Sequence, residues 1–159
     1  RRRRVSRGGA EGAELSTLIT RGMETNRITG IIIEEAIKIH RRLGPGLLES
    51  VYEAVLKRRL EQRGLIVQCQ QEVSVNYDGE MYGIGFRMDM LVEGTVVVEL
   101  KSVEVLPPVA FKIVTTYLRL SNKEVALLIN FGEETLKDGL HRIVNKYTGP
   151  KPGSQSDEL

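Results

Sequence analysis

The sequence predicts an α/β or α+β domain in which a mixed β-sheet is flanked by helices. Apolar residues recur at helical spacing in two segments near the start of the domain. Alternating segments and aliphatic runs, bounded by turn residues, then follow as expected for strands. The predicted order is α-α-β-β-β-α-β, with a further short strand near the end of the domain.

Three helices are predicted from their apolar stripes and from the residues at their ends. The first spans about 27–42 and stops at a Gly-Pro-Gly turn. The second spans about 47–62 and ends before Gly64, where a left-handed residue is expected. The third spans about 109–120 and follows two consecutive prolines, which suit a first helical turn.

The strands are predicted from alternation, valine-rich composition and turn signals. An Asp-Gly pair separates the first two strands, which is typical of a hairpin, and a Glu-Gly pair follows the second. The predicted strands are 72–77, 81–92, 95–101 and 124–131. For residues 136–144 a glycine at position 139 favours a short edge strand over a helix.

The pattern predicts one domain over residues 25–148 between two disordered tails, 1–24 and 149–159. The first tail lacks apolar periodicity and is rich in Arg, Gly and Glu. Its four leading arginines could form a basic arm or a localisation signal, but we interpret the residues before Met23 as extraneous. The closing Ser-Asp-Glu-Leu resembles an endoplasmic-reticulum retention signal, which we interpret as chance because no secretory signal is recognisable.

Composition excludes several classes of protein. With 41% hydrophobic and 28% charged residues, the 159-residue chain is neither disordered throughout nor collagen-like. No apolar run reaches membrane-spanning length, so no membrane partner is expected. The single cysteine, Cys69, cannot form an internal disulfide, which predicts a reducing, cytoplasmic location. The net charge of +2 arises in the first tail and is weak evidence for a nucleic-acid partner.

Three charged residues lie inside apolar strands and need an explanation. Glu99 and Lys101 share one face of a strand because side chains alternate, and Asp89 lies in the strand before it. They could form a mutual ion pair, or the two carboxylates could hold Mg²⁺ beside a lysine that orients water. A two-residue turn would set Asp89 opposite Val98, whereas a three-residue loop would set it opposite Glu99. A metal site therefore requires the longer loop or an equivalent bulge.

Glu49 is a further candidate acid. It lies at the margin of the apolar stripe of the second helix, where a partly desolvated carboxylate needs a cation or hydrogen-bond donors. Its position in the first turn also allows a simple interaction with the helix dipole, which is the commoner situation.

Histidine, cysteine and basic residues give weaker signals. His40 and His141 are far apart in sequence, and with one cysteine they do not provide a zinc ligand set. We expect His40 at a helix end near solvent. The second helix carries a basic patch that could meet a phosphate backbone but is more often a solvated face. Its members are Lys57, Arg58, Arg59 and Arg63.

Taken together, the short motifs resemble the GxxExxY protein family over about residues 26–145. The pieces are His40-Arg41-Arg42-Leu43-Gly44-Pro45-Gly46 with the following Leu47-Leu48-Glu49-Ser50-Val51-Tyr52, then Arg87-Met88-Asp89, Val98-Glu99-Leu100-Lys101, Tyr117-Leu118-Arg119-Leu120 and Leu128-Ile129-Asn130-Phe131-Gly132. That family is placed in the PD-(D/E)XK nuclease-like superfamily. The resemblance therefore implies a restriction-endonuclease-like fold.

The resemblance also implies a Mg²⁺- or Mn²⁺-dependent nuclease acting on DNA or RNA. Asp89, Glu99 and Glu49 would hold the metal, and Lys101 would orient the attacking water. Tyr52 and Arg87 are implied substrate contacts, although a packed stripe aromatic is the commoner role for such a tyrosine.

The sequence departs from the resembled family on the third helix. Ile113 stands where an amide is usual, four residues before the tyrosine, and Ala110 stands where a histidine is frequent. Two alternatives to a nuclease therefore stay open. One is a catalytically inactive nucleic-acid- or protein-binding module, and the other is a small cytosolic domain whose strand charges pair. A chain this short could also act with a partner or as a homodimer.

Overall fold

The computed structural model describes residues 8–146, which form three helices and five strands. In chain order these are α1 Gly8–Leu43, α2 Glu49–Gln62, β1 Val67–Tyr77, β2 Glu80–Val92, β3 Val96–Lys101, α3 Val109–Ser121, β4 Val125–Asn130 and β5 Leu140–Val144. The predicted α+β class, the restriction-endonuclease-like arrangement and the element order are confirmed.

The five strands form one mixed sheet in the order β1-β2-β3-β4-β5. β3 and β4 are parallel and are connected through α3, while every other neighbouring pair is antiparallel. A parallel pair needs such a crossover because a tight turn cannot join parallel strands. The short C-terminal strand lies at the sheet edge, as its glycine indicated.

Helices cover both faces of the central strands. Val96 and Val98 of β3 pack in a core with α1 and α2, whereas Val97 packs in a second core with α3. Strands buried on both faces read as continuous apolar runs rather than as alternating ones. This explains the uninterrupted aliphatic runs at residues 96–98 of β3 and 125–129 of β4.

The first helix begins much earlier than expected. α1 starts at Gly8, so residues 8–24, which we expected to be disordered, continue the helix that packs on the sheet. The side chains of 9–24 are exposed, and apolar periodicity reports burial rather than helicity. Extending an existing helix also avoids the cost of nucleation. Residues 1–7 and 147–159 lie outside the described residues.

The first hairpin is longer than predicted, and its pairing is irregular. β1 begins at Val67 rather than near residue 72, and its pairing with β2 shifts register around Ser74. The missed residues 67–71 do alternate in burial, but two of their inward positions are Cys69 and Gln71, which give only a weak apolar signal. Among residues 8–146, no helix combines the length and apolarity needed to cross a bilayer.

Candidate active site

The turn between β2 and β3 sets the register on which the predicted site depends. Val92 pairs with Val96, so the loop has three residues, and the ladder continues to Met90 opposite Val98. Glu93 and Gly94 have positive φ values of 53° and 61°, which close this loop. The next position brings Asp89 opposite Glu99. The longer of the two loops considered from the sequence is therefore the one that forms.

Just beyond the last backbone pair of β2 and β3, the side chains of Asp89 and Glu99 accept hydrogen bonds from the backbone of the opposite strand. The backbone N–H of Asp89 donates to Glu99 Oε1 at 3.1 Å, and the N–H of Leu100 donates to Asp89 Oδ2 at 2.8 Å. Each carboxylate thus accepts a backbone donor from the opposite strand, which fixes its orientation. The second oxygen of each carboxylate takes no backbone hydrogen bond, so both retain acceptor capacity.

Glu99 lies in an electrostatically unfavourable position for a carboxylate. Glu99 is buried, with only 6% of its surface exposed. Burial, and then the charge of Asp89, raise the pKa of Glu99 to about 8, against smaller opposing effects of the Asp89 N–H and the Lys101 charge. A nearby cation would relieve this repulsion.

Helix α3 places an aromatic side chain beside the two acids. The Tyr117 ring stacks on Phe86 of β2, with ring centroids 4.2 Å apart. Burial raises the pKa of the Tyr117 hydroxyl, and the charges of Glu99 and Asp89 raise it further. The hydroxyl therefore lies within electrostatic reach of the two carboxylates.

Sequence reasoning missed Gln70 and Glu53. Gln70 lies opposite Asp89 in the β1–β2 register, with a left-handed φ of 53°. Its Nε2 donates to Glu53 Oε2 at 2.8 Å and reaches Asp89 Oδ1 at 3.5 Å. The amide thus bridges α2 to the acid pair. No sequence signal could have found it, because the contact depends on where β1 begins and on an unusual backbone angle.

Glu49 lies apart from the acid pair. It is the first residue of α2, is exposed, and lines a cleft of about 500 Å³ with Gly46 and Ser102. Ser102 Oγ donates to Leu47 O at 2.6 Å, which ties this cleft to the end of β3, one residue beyond Lys101. In the part of the chain that the structure describes, Glu49 does not join Asp89 and Glu99 in a group of acids able to hold a metal ion.

The segment that follows Lys101 is held firmly against β4. The buried Asn130 side chain accepts the Val103 N–H at 3.0 Å and donates to the Val103 carbonyl at 2.9 Å. Gly132 lets the two segments approach, because a Cβ there would collide with the Val103 backbone. The end of β3 therefore has a defined position next to the Glu49 cleft.

Tyr52 is not available to substrate, contrary to the role that the resemblance implied. It is fully buried, and its hydroxyl donates to Gly44 O at 2.6 Å and accepts the Leu47 N–H at 3.2 Å. Its ring stacks on Phe131 with centroids 4.3 Å apart. Tyr52 therefore holds the Gly-Pro-Gly turn that precedes Glu49.

The remaining named residues have ordinary surroundings. Arg87 is exposed and pairs with Glu72 of β1 at 3.0 Å, and its substrate contact stays a prediction. On α3, Ala110 is buried, whereas Ile113 is 42% exposed one turn before Tyr117. His40 is buried, not solvent-facing, and one of its ring nitrogens lies 2.9 Å from Glu133 O.

The acid pair fits a divalent cation by its chemistry. Two adjacent carboxylates, each fixed by one backbone N–H, offer the oxygen ligands that Mg²⁺ and Mn²⁺ prefer. Within residues 8–146 no group of three or more His, Cys, Asp or Glu side chains converges as a metal site. The protein thus contributes two carboxylates here, which suits a metal that keeps waters for substrate to displace.

Comparison with known proteins gives one match. A sequence model described as the PD-(D/E)XK nuclease superfamily matches residues 26–143, which is well over half of the chain. No curated protein and no solved structure matches significantly.

Proposed function

Because the chain belongs to the PD-(D/E)XK nuclease superfamily, we propose that it is a divalent-metal-dependent nuclease that hydrolyses phosphodiester bonds in DNA or RNA. One observation carries the proposal: Asp89 and Glu99 face each other where the β2–β3 ladder ends. Each carboxylate is oriented by the opposite backbone, and Glu99 is buried beside a like charge. Active sites use such arrangements.

Asp89 and Glu99 would hold Mg²⁺ or Mn²⁺, with Glu49 approaching from the start of α2 when substrate is bound. The metal would supply Lewis-acid polarisation of a phosphoryl oxygen. The protein's own part is to keep the two carboxylates fixed, through the Leu100 and Asp89 N–H groups. Preorganised ligands avoid reorganisation during the reaction.

Lys101 would act on the nucleophile and on the developing charge. It lies two residues after Glu99 on the same side of β3, and its charge opposes the rise in the pKa of Glu99. An ammonium on the same side of the strand as Glu99 can hold a water by hydrogen bonding and stabilise negative charge that builds on phosphorus.

A catalytically inactive binding module is the second candidate. It is favoured by Ile113, an exposed apolar side chain one turn before Tyr117. Unlike an amide at this position, an isoleucine side chain has no polar group to orient water or substrate. Nucleic acid or protein would then bind without being cut.

The test is cleavage of plasmid, single-stranded DNA and RNA with Mg²⁺, with Mn²⁺ and with EDTA. We expect Asp89→Ala and Lys101→Ala each to lower the rate by about a hundredfold or more. Lys146→Ala, which removes an exposed lysine near the end of the described chain, serves as the matched control and should cleave normally. Equal rates in all four proteins would mean a contaminating nuclease and would refute the proposal. Binding without cleavage by the wild type would favour the second candidate.

A further inference from the structure

A basic cleft lies between the end of α1 and the middle of α2. It encloses about 580 Å³, and its lining combines four cations with aliphatic side chains. The lining residues are Lys38, Arg41, Arg42, Arg59, Ile39, Leu43 and Val55. Three of the four cations are arginines, whose planar guanidinium groups recognise phosphate in a bidentate way.

The four cations are only partly neutralised. Arg59 Nε bonds Glu35 at 2.8 Å, and Lys38 pairs with Glu34 at 2.6 Å. Neither Arg41 nor Arg42 forms an ion pair with any acid among residues 8–146. The cleft therefore carries an excess of positive charge.

A favourable interaction with the α1 dipole accounts for only part of this arrangement. Cations in the last helical turn are stabilised slightly by the dipole even when they point into solvent. Arg41 and Arg42 instead share one cavity with two further cations, where like charges repel. An anion within the cleft would turn that repulsion into attraction.

The turn that follows α1 leads along the chain from the basic cleft to the Glu49 cleft. Arg41 also lines a neighbouring cavity of about 730 Å³, together with Gly44 and Pro45. The next residue, Gly46, lines the Glu49 cleft beside Ser102. A polyanion that follows this turn would thus pass from the basic cleft to the end of β3.

We propose that the basic cleft binds the phosphate backbone of the nucleic acid that is cut at the Asp89–Glu99 pair, a proposal that rests on the proposed function. Binding there is independent of base sequence, because the cleft presents charge and aliphatic surface to the strand. The basic patch of α2, which the sequence favoured as a solvated face, contributes Arg59 to this surface.

The test compares the wild-type full chain with the double variant Arg41→Ala/Arg42→Ala. A matched control, Arg21→Ala/Arg27→Ala, removes two charges from the same helix at exposed sites that are paired with Glu124 and Glu24. Fluorescence anisotropy in EDTA, with labelled oligonucleotides of mixed sequence, measures binding between 50 and 200 mM salt, and circular dichroism checks that each variant folds. The salt range is about that over which phosphate contacts are usually resolved.

We expect the Arg41/Arg42 variant to bind roughly tenfold or more weakly, for every sequence tested. The slope of log affinity against log salt should fall by about 1.4 for single strands or about 1.8 for duplexes, as for the loss of two phosphate contacts. Arg41→Lys/Arg42→Lys should keep most of the slope. Unchanged affinity and slope in the alanine variant, or equal losses in the Arg21/Arg27 control, would overturn the proposal.

Hydrolysis of bis(p-nitrophenyl) phosphate separates this proposal from the proposed function. The small diester needs the acid pair but not the cleft, so the Arg41/Arg42 variant should hydrolyse it at the wild-type rate. If the wild type hydrolyses it yet binds nucleic acid independently of these arginines, the cleft proposal fails alone. If binding needs the arginines but no diester is cut, the nuclease proposal fails and the binding surface stands. Arginine-dependent binding of polyglutamate, with none of nucleic acid, would overturn the cleft proposal in favour of an acidic protein partner.

Discussion

Glu35 in α1 and Glu99 in β3 are both buried glutamates, 1% and 6% exposed, but their neighbours carry opposite charges. Glu35 accepts hydrogen bonds from Arg59 at 2.8 Å and from Arg63 at 2.7 Å, and Lys38 lies 3.4 Å away. Glu99 faces Asp89 instead. The first glutamate is neutralised from within the protein, whereas the second is set beside another acid.

The pKa values of the two glutamates follow their neighbours. Burial acts to raise the pKa of Glu35, but the hydrogen bonds from Arg59 and Arg63, with the nearby positive charges, outweigh it and the net pKa is lowered. For Glu99 burial and the Asp89 charge act together, and the pKa rises to about 8. Glu35 therefore joins α1 to α2. Glu99, in contrast, would be stabilised in its ionised form by a cation bound beside it, and such a cation could take part in catalysis.

The largest expected effect separates the two glutamates by activity. Glu99→Gln should lower metal-dependent cleavage by about a hundredfold or more, because it removes the buried carboxylate of the pair. Glu35→Gln should leave hydrolysis of bis(p-nitrophenyl) phosphate unchanged below its unfolding temperature. Initial rates with saturating Mg²⁺ measure both. If Glu99→Gln cut nucleic acid at the wild-type rate, the acid pair would have no part in catalysis.

The next effect is on stability and falls on the other glutamate. Glu35→Gln should lower the free energy of unfolding by about 2 kcal/mol, because charge-assisted hydrogen bonds from two arginines are weakened. Thermal denaturation should show a fall in Tm of about 6 °C. Glu104→Gln makes the same change at an exposed position and should move Tm very little. Equal shifts in the two variants would contradict a structural role for the Glu35 network.

The pH dependence of stability should have opposite signs at the two positions. Native Glu99 keeps a proton up to about pH 8, whereas the unfolded side chain loses it near 4.5, so this residue costs stability as pH rises between these values. In EDTA, Glu99→Gln should therefore melt a few degrees above the wild type at pH 9 and equally at pH 4.5.

For Glu35 the native pKa is lowered, so its contribution is present above pH 4.5 and is lost as pH falls below that value. The Tm deficit of Glu35→Gln should accordingly shrink in acid. Difference melting curves against the wild type, taken across the pH range, measure both trends. Parallel curves for the two variants would show that their surroundings do not differ as described.

The smallest expected effect is stabilisation by the metal. Mg²⁺ at about ten times its Kd should raise the wild-type free energy of unfolding by about 1.4 kcal/mol, which corresponds to about 4 °C in Tm. Glu35→Gln should gain as much, and Glu99→Gln should gain less than half. Calorimetric melts at pH 8 with Mg²⁺ or EDTA measure this gain, and an equal gain in Glu99→Gln would place the metal elsewhere.

Much of the fold could be predicted because its central elements carry local signals. The prolines before α3, the turn after α1 and the valine-rich β3 gave element types and most boundaries correctly. The start of α1 at Gly8 could not be predicted in this way, since its exposed residues 9–24 have no core to impose a pattern. The early start of β1 at Val67 was not predicted either, because it depends on pairing with Val92, which is distant in sequence.

Only part of the candidate site could be predicted. The alternation of β3 placed Glu99 and Lys101 on one side, but the sequence left two loop lengths open, and only the three-residue loop sets Asp89 opposite Glu99. Gln70 and Tyr117 reach the acids through contacts between distant segments. The sequence named two roles for Tyr52, and only the structure shows that its hydroxyl donates to Gly44 O, because a spacing motif does not reveal where a hydroxyl finds its partners.

The sequence by itself determined the fold class, the order of the elements and the identities of the charged residues within apolar strands, because propensity, period and turn chemistry act over a few neighbouring residues. Tertiary structure alone decided which buried glutamate is neutralised and which is left beside another acid. Electrostatic energy depends on distance through space, and Glu35 reaches Arg59 and Arg63 only when α1 and α2 pack together. The same dependence on distance acts where β2 and β3 part and sets the carboxyl groups of Asp89 and Glu99 side by side, which raises the pKa of Glu99.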